Sequence, residues 1–207
     1  MTLLELARQE RTDLAEFLAT LSPEEWDAPS LCAGWRVRDV VAHMISYDEL
    51  DTRALFDRLA RAAFGVHRAN AIGVDELRRR SPDELLVLLR RHLTPHGLTS
   101  WFGGMIGLED GLIHHQDIRR ALGRPREVPA ERLRPCLRTA VLNPVVGGPW
   151  RVRGLRVVAT DLGWAAGFGP VVAGPAEPLL MAVTGRRAVL PELAGPGLPT
   201  LRARIER

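Results

Sequence analysis

The pattern of apolar and polar positions in the first two thirds of the chain predicts a series of amphipathic helices. From about Thr2 to Leu21, apolar residues recur mainly at spacings of three and four, the period that lines one face of a helix. Two Ser-Pro-acid-Glu stretches, beginning at Ser22 and Ser81, have the composition of helix starts. The helix that begins at Ser81 is expected to run through Leu93, and Pro95 ends it. Further helices are expected from near Val37 past Leu50 and toward Phe64, from Thr99 to Leu122, and after Pro129.

The pattern changes from about Asn143 onward. Glycine and proline become frequent, and short β-like runs occupy residues 155–160 and 171–173. One helix candidate, residues 176–183, ends at Gly185. We therefore predict a mainly α fold, in which a four-helix bundle over residues 1–145 is followed by a small α+β C-terminal domain over residues 146–207.

Composition and charge narrow the range of partners. Of the 207 residues, 46% are apolar and 26% are charged, as in an ordinary globular protein. No apolar run approaches the roughly 20 residues that span a bilayer, and the first residues lack a signal-peptide layout, so we expect a cytoplasmic protein without membrane partners. The net charge is only +3, and the basic run 78–80 is flanked by acids, so nucleic acid is not an expected partner. Cys32 and Cys136 are expected to be free thiols.

Candidate chemistry centres on two of the six histidines. His43 lies on the same predicted helix face as Val40 and Tyr47, which indicates an inward position. Asp110 and His114 are four residues apart, so they are one turn apart on one side of a later helix, on a stripe that Phe102 would continue. One carboxylate and two imidazoles can hold a divalent cation and leave positions open for water or substrate.

Other readings of these positions remain open. Glu109 lies roughly 140° from His114 around the helix, yet it could act as the carboxylate if Gly111 let the helix distort. Asp117 shares the face of His114 and is either a further ligand or a group that orients the ring. A histidine on an apolar face is also commonly a hydrogen-bonded core residue, and Asp110 with His114 could form a plain ion pair.

Several motifs resemble the mycothiol-dependent maleylpyruvate isomerase family, metal-binding members of the DinB-like four-helix bundles. The long first motif comprises residues 21–26 and 31–43, with the sequences LSPEEW and LCAGWRVRDVVAH. The second is the His-x-x-Asp of residues 114–117. Residues 154–161, with Trp164 and Gly185-Arg186, are similar to the small C-terminal domain of that family. The resemblance covers nearly the whole chain in order.

The resemblance implies a site and an activity. Family members hold a metal with a His at the position of His43 and with a Glu and a His spaced i, i+4, which correspond to Asp110 and His114. Asp110 is one methylene shorter than the family's Glu. The implied cofactor is a divalent metal, Zn²⁺ in the first place, although nickel, manganese and iron also suit such ligands.

The implied activity uses mycothiol, the small thiol of actinobacteria, as co-substrate. A metal-activated thiolate would attack a small electrophile in an isomerase or S-transferase reaction, and neither Cys32 nor Cys136 would be needed as nucleophile. Maleylpyruvate-like substrates are dicarboxylates, for which Arg119, Arg120, Arg186 and Arg187 are candidate contacts. The alternative is a non-catalytic metal-binding or small-molecule-binding protein of the same fold.

Overall fold

The computed structural model describes all residues from Met1 to Arg207, which fall into two compact units, Met1–Arg126 and Glu127–Arg207. The first unit contains seven α-helices. They are α1 (Leu3–Leu18), α2 (Pro23–Asp27), α3 (Val37–Ile45), α4 (Thr52–Arg61), α5 (Val66–Leu77), α6 (Pro82–Arg91) and α7 (Trp101–Ala121).

Four of these helices form a bundle. Helix α1 packs against α6 and α7, and α3 packs against the same two helices. The core between them is built from fully buried aliphatic side chains such as Leu14, Val40, Leu89 and Ile118. Burying such side chains contributes about 1.5–3 kcal/mol each relative to leaving them in water. The predicted mainly α bundle is therefore present.

The predicted helix starts at the two Ser-Pro stretches are confirmed. The Ser22 and Ser81 hydroxyls accept hydrogen bonds from the backbone N–H groups of Glu25 and Glu84, and the two glutamates accept from the serine N–H groups. These reciprocal bonds satisfy donors that the first turn of a helix leaves open. They set where α2 and α6 begin.

The stretch expected to continue from Val37 toward Phe64 is interrupted. Helix α3 ends at Ile45, and α4 starts again after Asp51, whose carboxylate accepts from the Ala54 N–H. Helix α5 was not predicted from the sequence and packs against α3 and α4. Arg58 of α4 links the end of α3 to α5. Its guanidinium donates to the Ser46 carbonyl and forms an ion pair with Glu76.

Helix α7 is regular only beyond its first turn. Phe102, Gly103 and Gly104 have positive φ angles, which break the helix there. Phe102 is 78% exposed, so the expectation that it continues the inward stripe of Asp110 and His114 is wrong. A Cβ on Gly104 would lie 2.8 Å from the Cα of Leu4, so glycine is what lets the start of α7 approach α1 this closely.

The second unit is a small α+β domain. It contains α8 (Ala130–Ala140), α9 (Gly148–Val152), β1 (Arg156–Ala159), β2 (Trp164–Gly167), β3 (Val171–Gly174), α10 (Ala176–Val183) and α11 (Leu198–Ile205). Strand β1 is central, antiparallel to β2 and parallel to β3. Helix α10 packs against α8 and β1. The predicted β-runs and the helix at residues 176–183 are thus present, whereas β2, α9 and α11 were not predicted.

The division between the units falls at residue 126, earlier than the compositional change near Asn143. Helix α8 is the reason, because its buried face, including Leu133 and Leu137, packs against α10. The boundary at 145/146 stays a prediction for where an independent domain begins. No helix in the structure is long and apolar enough to cross a membrane.

Candidate metal centre

The position of His43 depends on how the first turn of α3 is fixed. The carboxylate of Asp39 accepts hydrogen bonds from the backbone N–H and the Nε of Arg36, and so fixes the first turn of the helix. Because His43 follows Val40 by three residues, the two share one buried face of α3. The His43 side chain is 7% exposed.

Asp110 and His114 lie one turn apart on α7, on the side that faces α3. Oδ1 of Asp110 is 3.3 Å from Nε2 of His43 and 3.5 Å from Nε2 of His114. The two imidazole rings are 4.9 Å apart between centroids and nearly perpendicular. The donor atoms of all three residues lie within 4.8 Å of one another. The structure thus brings together the three residues that the sequence singled out.

The cluster opens to solvent on the Asp110 side. Asp110 keeps 25% of its side-chain surface exposed, against 12% for His114 and 7% for His43. A small molecule could therefore approach the three donor atoms past the carboxylate.

The charges of the cluster stabilise one another. Burial by itself raises the pKa of Asp110, but the neighbouring His114 and His43 outweigh it and lower that pKa to about 2. Burial by itself lowers the pKa of His114, but Asp110, Asp117 and the Cys32 thiol together raise it to about 10. At neutral pH, without a cation, the His114 ring is an imidazolium that neutralises the carboxylates. Cation binding there requires the ring to release a proton.

His114 is held from its other ring nitrogen by Asp117. Nδ1 of His114 donates to Oδ2 of Asp117 at 2.9 Å, and Asp117 is fully buried. A carboxylate on the far nitrogen is the usual partner of a metal-binding imidazole, since it fixes both the tautomer and the ring direction. Of the two roles that the sequence left open for Asp117, the geometry favours orientation of His114.

Cys32 belongs to the same cluster, which the sequence did not predict. Its thiol donates to Oδ2 of Asp117 at 3.1 Å and lies 3.5 Å from Nδ1 of His114. The sequence predicted Cys32 only as a free thiol and gave no sign of these contacts. No local signal reveals them, because Cys32 and Asp117 come from distant parts of the chain.

His43 is oriented differently from His114. Its ring packs beside Trp35, with centroids 5.2 Å apart, and against the edge of Tyr47 at 6.1 Å. Its Nδ1 is buried without a hydrogen-bond partner. Aromatic packing therefore sets the direction in which Nε2 of His43 points toward Asp110.

The donor set fits a divalent cation. Two imidazole nitrogens and one carboxylate oxygen, from two facing helices, are the ligands of many catalytic zinc sites. Their separations of 3.3 and 3.5 Å match what ligand atoms about 2 Å from a common ion would have. The shorter side chain of Asp110 therefore reaches the same point as both imidazoles.

The other carboxylate and imidazole candidates on α7 face elsewhere. Glu109 is buried, but its carboxylate converges neither with the donors of His43, Asp110 and His114 nor with those around Asp117. His115 faces α1, where its Nδ1 donates to Glu10 at 2.8 Å. Arg119, considered as a substrate contact, stacks on Phe17 and donates through Nε to His115. His115 and Arg119 therefore connect α1 to α7 instead of joining the cluster.

Comparison with known proteins supports the fold described above, a helix bundle followed by a small α+β unit. Residues 7–105 match the family model described as the mycothiol maleylpyruvate isomerase N-terminal domain. Two solved structures, a mycothiol-dependent maleylpyruvate isomerase and a single-residue mutant of it, each match with 15% identity and a TM-score of 0.57. The match covers 94% of this chain and 91% of the other in both cases. Among curated proteins no match is found.

The bundle, the small α+β unit and the converging donors define a helix-bundle protein of the maleylpyruvate isomerase fold with a candidate metal centre. Residues 7–105 are similar to the mycothiol maleylpyruvate isomerase N-terminal domain, in agreement with the sequence motifs. The matched residues include His43 and end before Asp110 and His114. The assignment of those two residues therefore depends on the geometry of α7.

Proposed function

We propose that the protein is a metal-dependent enzyme of the isomerase or S-transferase type that uses a mycothiol-like thiol as co-substrate. The observation that carries this proposal is the convergence of His43, Asp110 and His114, from two facing helices, on one point that is open to solvent. The family of the N-terminal domain and the fold of the solved relatives agree with it.

His43, Asp110 and His114 would hold the cation. A bound divalent cation lowers the pKa of a coordinated thiol and so supplies the thiolate, which is the nucleophilic form. Asp117 keeps the proton of His114 on Nδ1 and leaves Nε2 free to face the site. Trp35 and Tyr47 hold the His43 ring and cover it from water.

The thiolate would act on a small electrophile with a conjugated double bond. In the isomerase reaction it adds to the cis double bond, rotation follows about the resulting single bond, and the thiolate leaves again, so that no thiol is consumed. In a transferase reaction the adduct is the product. The exposed edge beside Asp110 is where both small molecules would enter.

The first test is metal content. Purified protein is analysed for metals beside the variants His43→Ala and His114→Ala, with His67→Ala, an exposed histidine outside the cluster, as matched control. We expect close to one divalent ion per chain in the wild type and in the control, and background levels in the two site variants. Equal metal content in all four proteins would contradict the proposed site.

The second test is turnover. The metal-loaded protein is incubated with mycothiol and a series of cis-conjugated dicarboxylates, and both isomers and adducts are measured. Product formation that needs both the thiol and the metal supports the enzyme. Tight metal binding without product supports instead the alternative of a non-catalytic binding protein.

A further inference from the structure

The loop before α3 meets α7 beside the candidate metal centre. The backbone N–H of Leu31 donates to the carbonyl of Asp117 at 3.2 Å, and the thiol of Cys32 donates to the carboxylate of the same residue at 3.1 Å. The side-chain oxygen that accepts from Cys32 is the one that accepts from His114. The loop thus forms hydrogen bonds with both the backbone and the side chain of Asp117.

This arrangement makes the position of the Asp117 carboxylate depend on Cys32. Asp117 is fully buried, and a buried carboxylate is held in place by the donors that surround it. Because His114 and Cys32 donate to the same oxygen, loss of the thiol donor would free the carboxylate to turn away from the ring. The direction of the His114 Nε2 would then be less well defined.

We propose that Cys32 is a positioning residue for the metal centre, and that it acts through Asp117 to set the direction of the His114 ring. This inference rests on the proposed function, since it takes His114 to be a metal ligand. Cys32 is not itself a ligand in this proposal. Its sulfur lies on the Nδ1 side of the His114 ring, whereas His43 and Asp110 lie on the Nε2 side.

The chain offers matched variants for a test. Cys32→Ala removes the donor, Cys32→Val removes it while filling nearly the same space, and Cys32→Ser keeps a donor. Cys136→Ala is the control, because Cys136 is the second free cysteine and lies in the other compact unit. Two readouts are used: the affinity for Co²⁺ in competition with a chelator, and the ring signals of [¹⁵N]histidine-labelled, metal-free protein.

We expect Cys32→Ala and Cys32→Val to bind Co²⁺ about tenfold more weakly, at the lower end of the range for supporting residues of metal sites. Both variants should also shift the Nδ1–H resonance of His114, which is identified by its loss in His114→Gln. Cys32→Ser and Cys136→Ala should resemble the wild type in both readouts. Since two independent substitutions remove the donor, failure of one variant to fold does not end the test.

Three results would overturn the proposal. The first is unchanged Co²⁺ affinity in both donor-less variants. The second is an unchanged His114 resonance in those variants. The third is a thiolate-to-cobalt charge-transfer band in the wild type that is lost even in Cys32→Ser, which would make Cys32 a ligand. If the wild type binds no Co²⁺ or Zn²⁺, the proposed function fails, while the His114 resonance in metal-free protein still decides the role of Cys32.

Discussion

Oδ1 of Asp110 lies 3.3 Å from Nε2 of His43, on a different helix, and 3.5 Å from Nε2 of His114 on its own helix. One carboxylate oxygen thus faces both imidazoles. Asp110 reaches both imidazoles although its side chain is one methylene shorter than the Glu that the resemblance implies at this position. Asp110 is therefore the residue at which the proposed centre can be tested most directly.

Asp110→Asn should lower metal affinity by more than about 100-fold, because loss of a supporting residue alone already costs roughly 10–100-fold. The substitution keeps the size of the side chain and removes its charge. Asp110→Glu, which restores the longer side chain, should retain metal. Affinity is measured by competition with a chelator, and Asp83→Asn on the exposed side of α6 is the control. Equal affinity of Asp110→Asn and wild type would show that this carboxylate is not a ligand.

His115 makes folding stability depend on pH. Burial, aided by Arg126 and Arg119, lowers its pKa to about 4 despite the hydrogen bond to Glu10. The unfolded ring, with a pKa near 6.5, takes up a proton more readily than the folded one. The contribution of His115 to the free energy of unfolding is therefore fully present above about pH 6.5. It decreases as the pH falls toward 4, by about 3 kcal/mol in total.

The measurement is urea unfolding of metal-free protein between pH 4 and 7, for wild type and His115→Asn. Asparagine can still donate to Glu10 but does not titrate. The free energy of unfolding of His115→Asn should therefore fall less steeply with decreasing pH than that of the wild type. His67→Asn, at an exposed position, should follow the wild type. Parallel curves for wild type and His115→Asn would contradict the prediction.

Arg11 and Asp48 form a buried ion pair between α1 and the segment after α3. Nη1 of Arg11 donates to Asp48 at 2.9 Å, and the hydroxyl of Thr99 donates to the same carboxylate at 2.6 Å. Asp48→Ala leaves a buried guanidinium without this partner, so it should lower the free energy of unfolding by about 3–5 kcal/mol. The double change Arg11→Met with Asp48→Leu should cost less than that single change. Denaturant unfolding checks both, with Asp57→Ala on the exposed side of α4 as control.

Gly103 and Gly104 provide a matched pair at the start of α7. Both have positive φ angles, so alanine at either position is strained by about 1–2 kcal/mol. Only at Gly104 would the added Cβ meet α1, 2.8 Å from the Cα of Leu4, whereas nothing lies within 4 Å at Gly103. Gly104→Ala should therefore destabilise by a further 1–3 kcal/mol or so. Equal unfolding midpoints for the two variants would show that α7 does not depend on this close approach.

Much of the fold follows from local signals in the sequence. The Ser22 and Ser81 capping boxes predict helix starts because the bonds that form them span only three residues. Helix α5 has no capping side chain and starts after Gly65, so its local sequence does not mark it. It is held instead by packing on α3 and by the pairing of Arg58 with Glu76.

The sequence by itself determined the mainly α bundle and the helix starts at Ser22 and Ser81. It also predicted three candidate ligands, because helical spacing puts Asp110 and His114 on one side of α7 and His43 on the inward face of α3. Only the tertiary structure decided that Asp110, and not Glu109, faces both imidazoles. It also decided that Asp117 and Cys32 hold the far side of the His114 ring. Periodicity fixes the direction of a side chain around its own helix, whereas contacts between distant segments depend on how the helices pack.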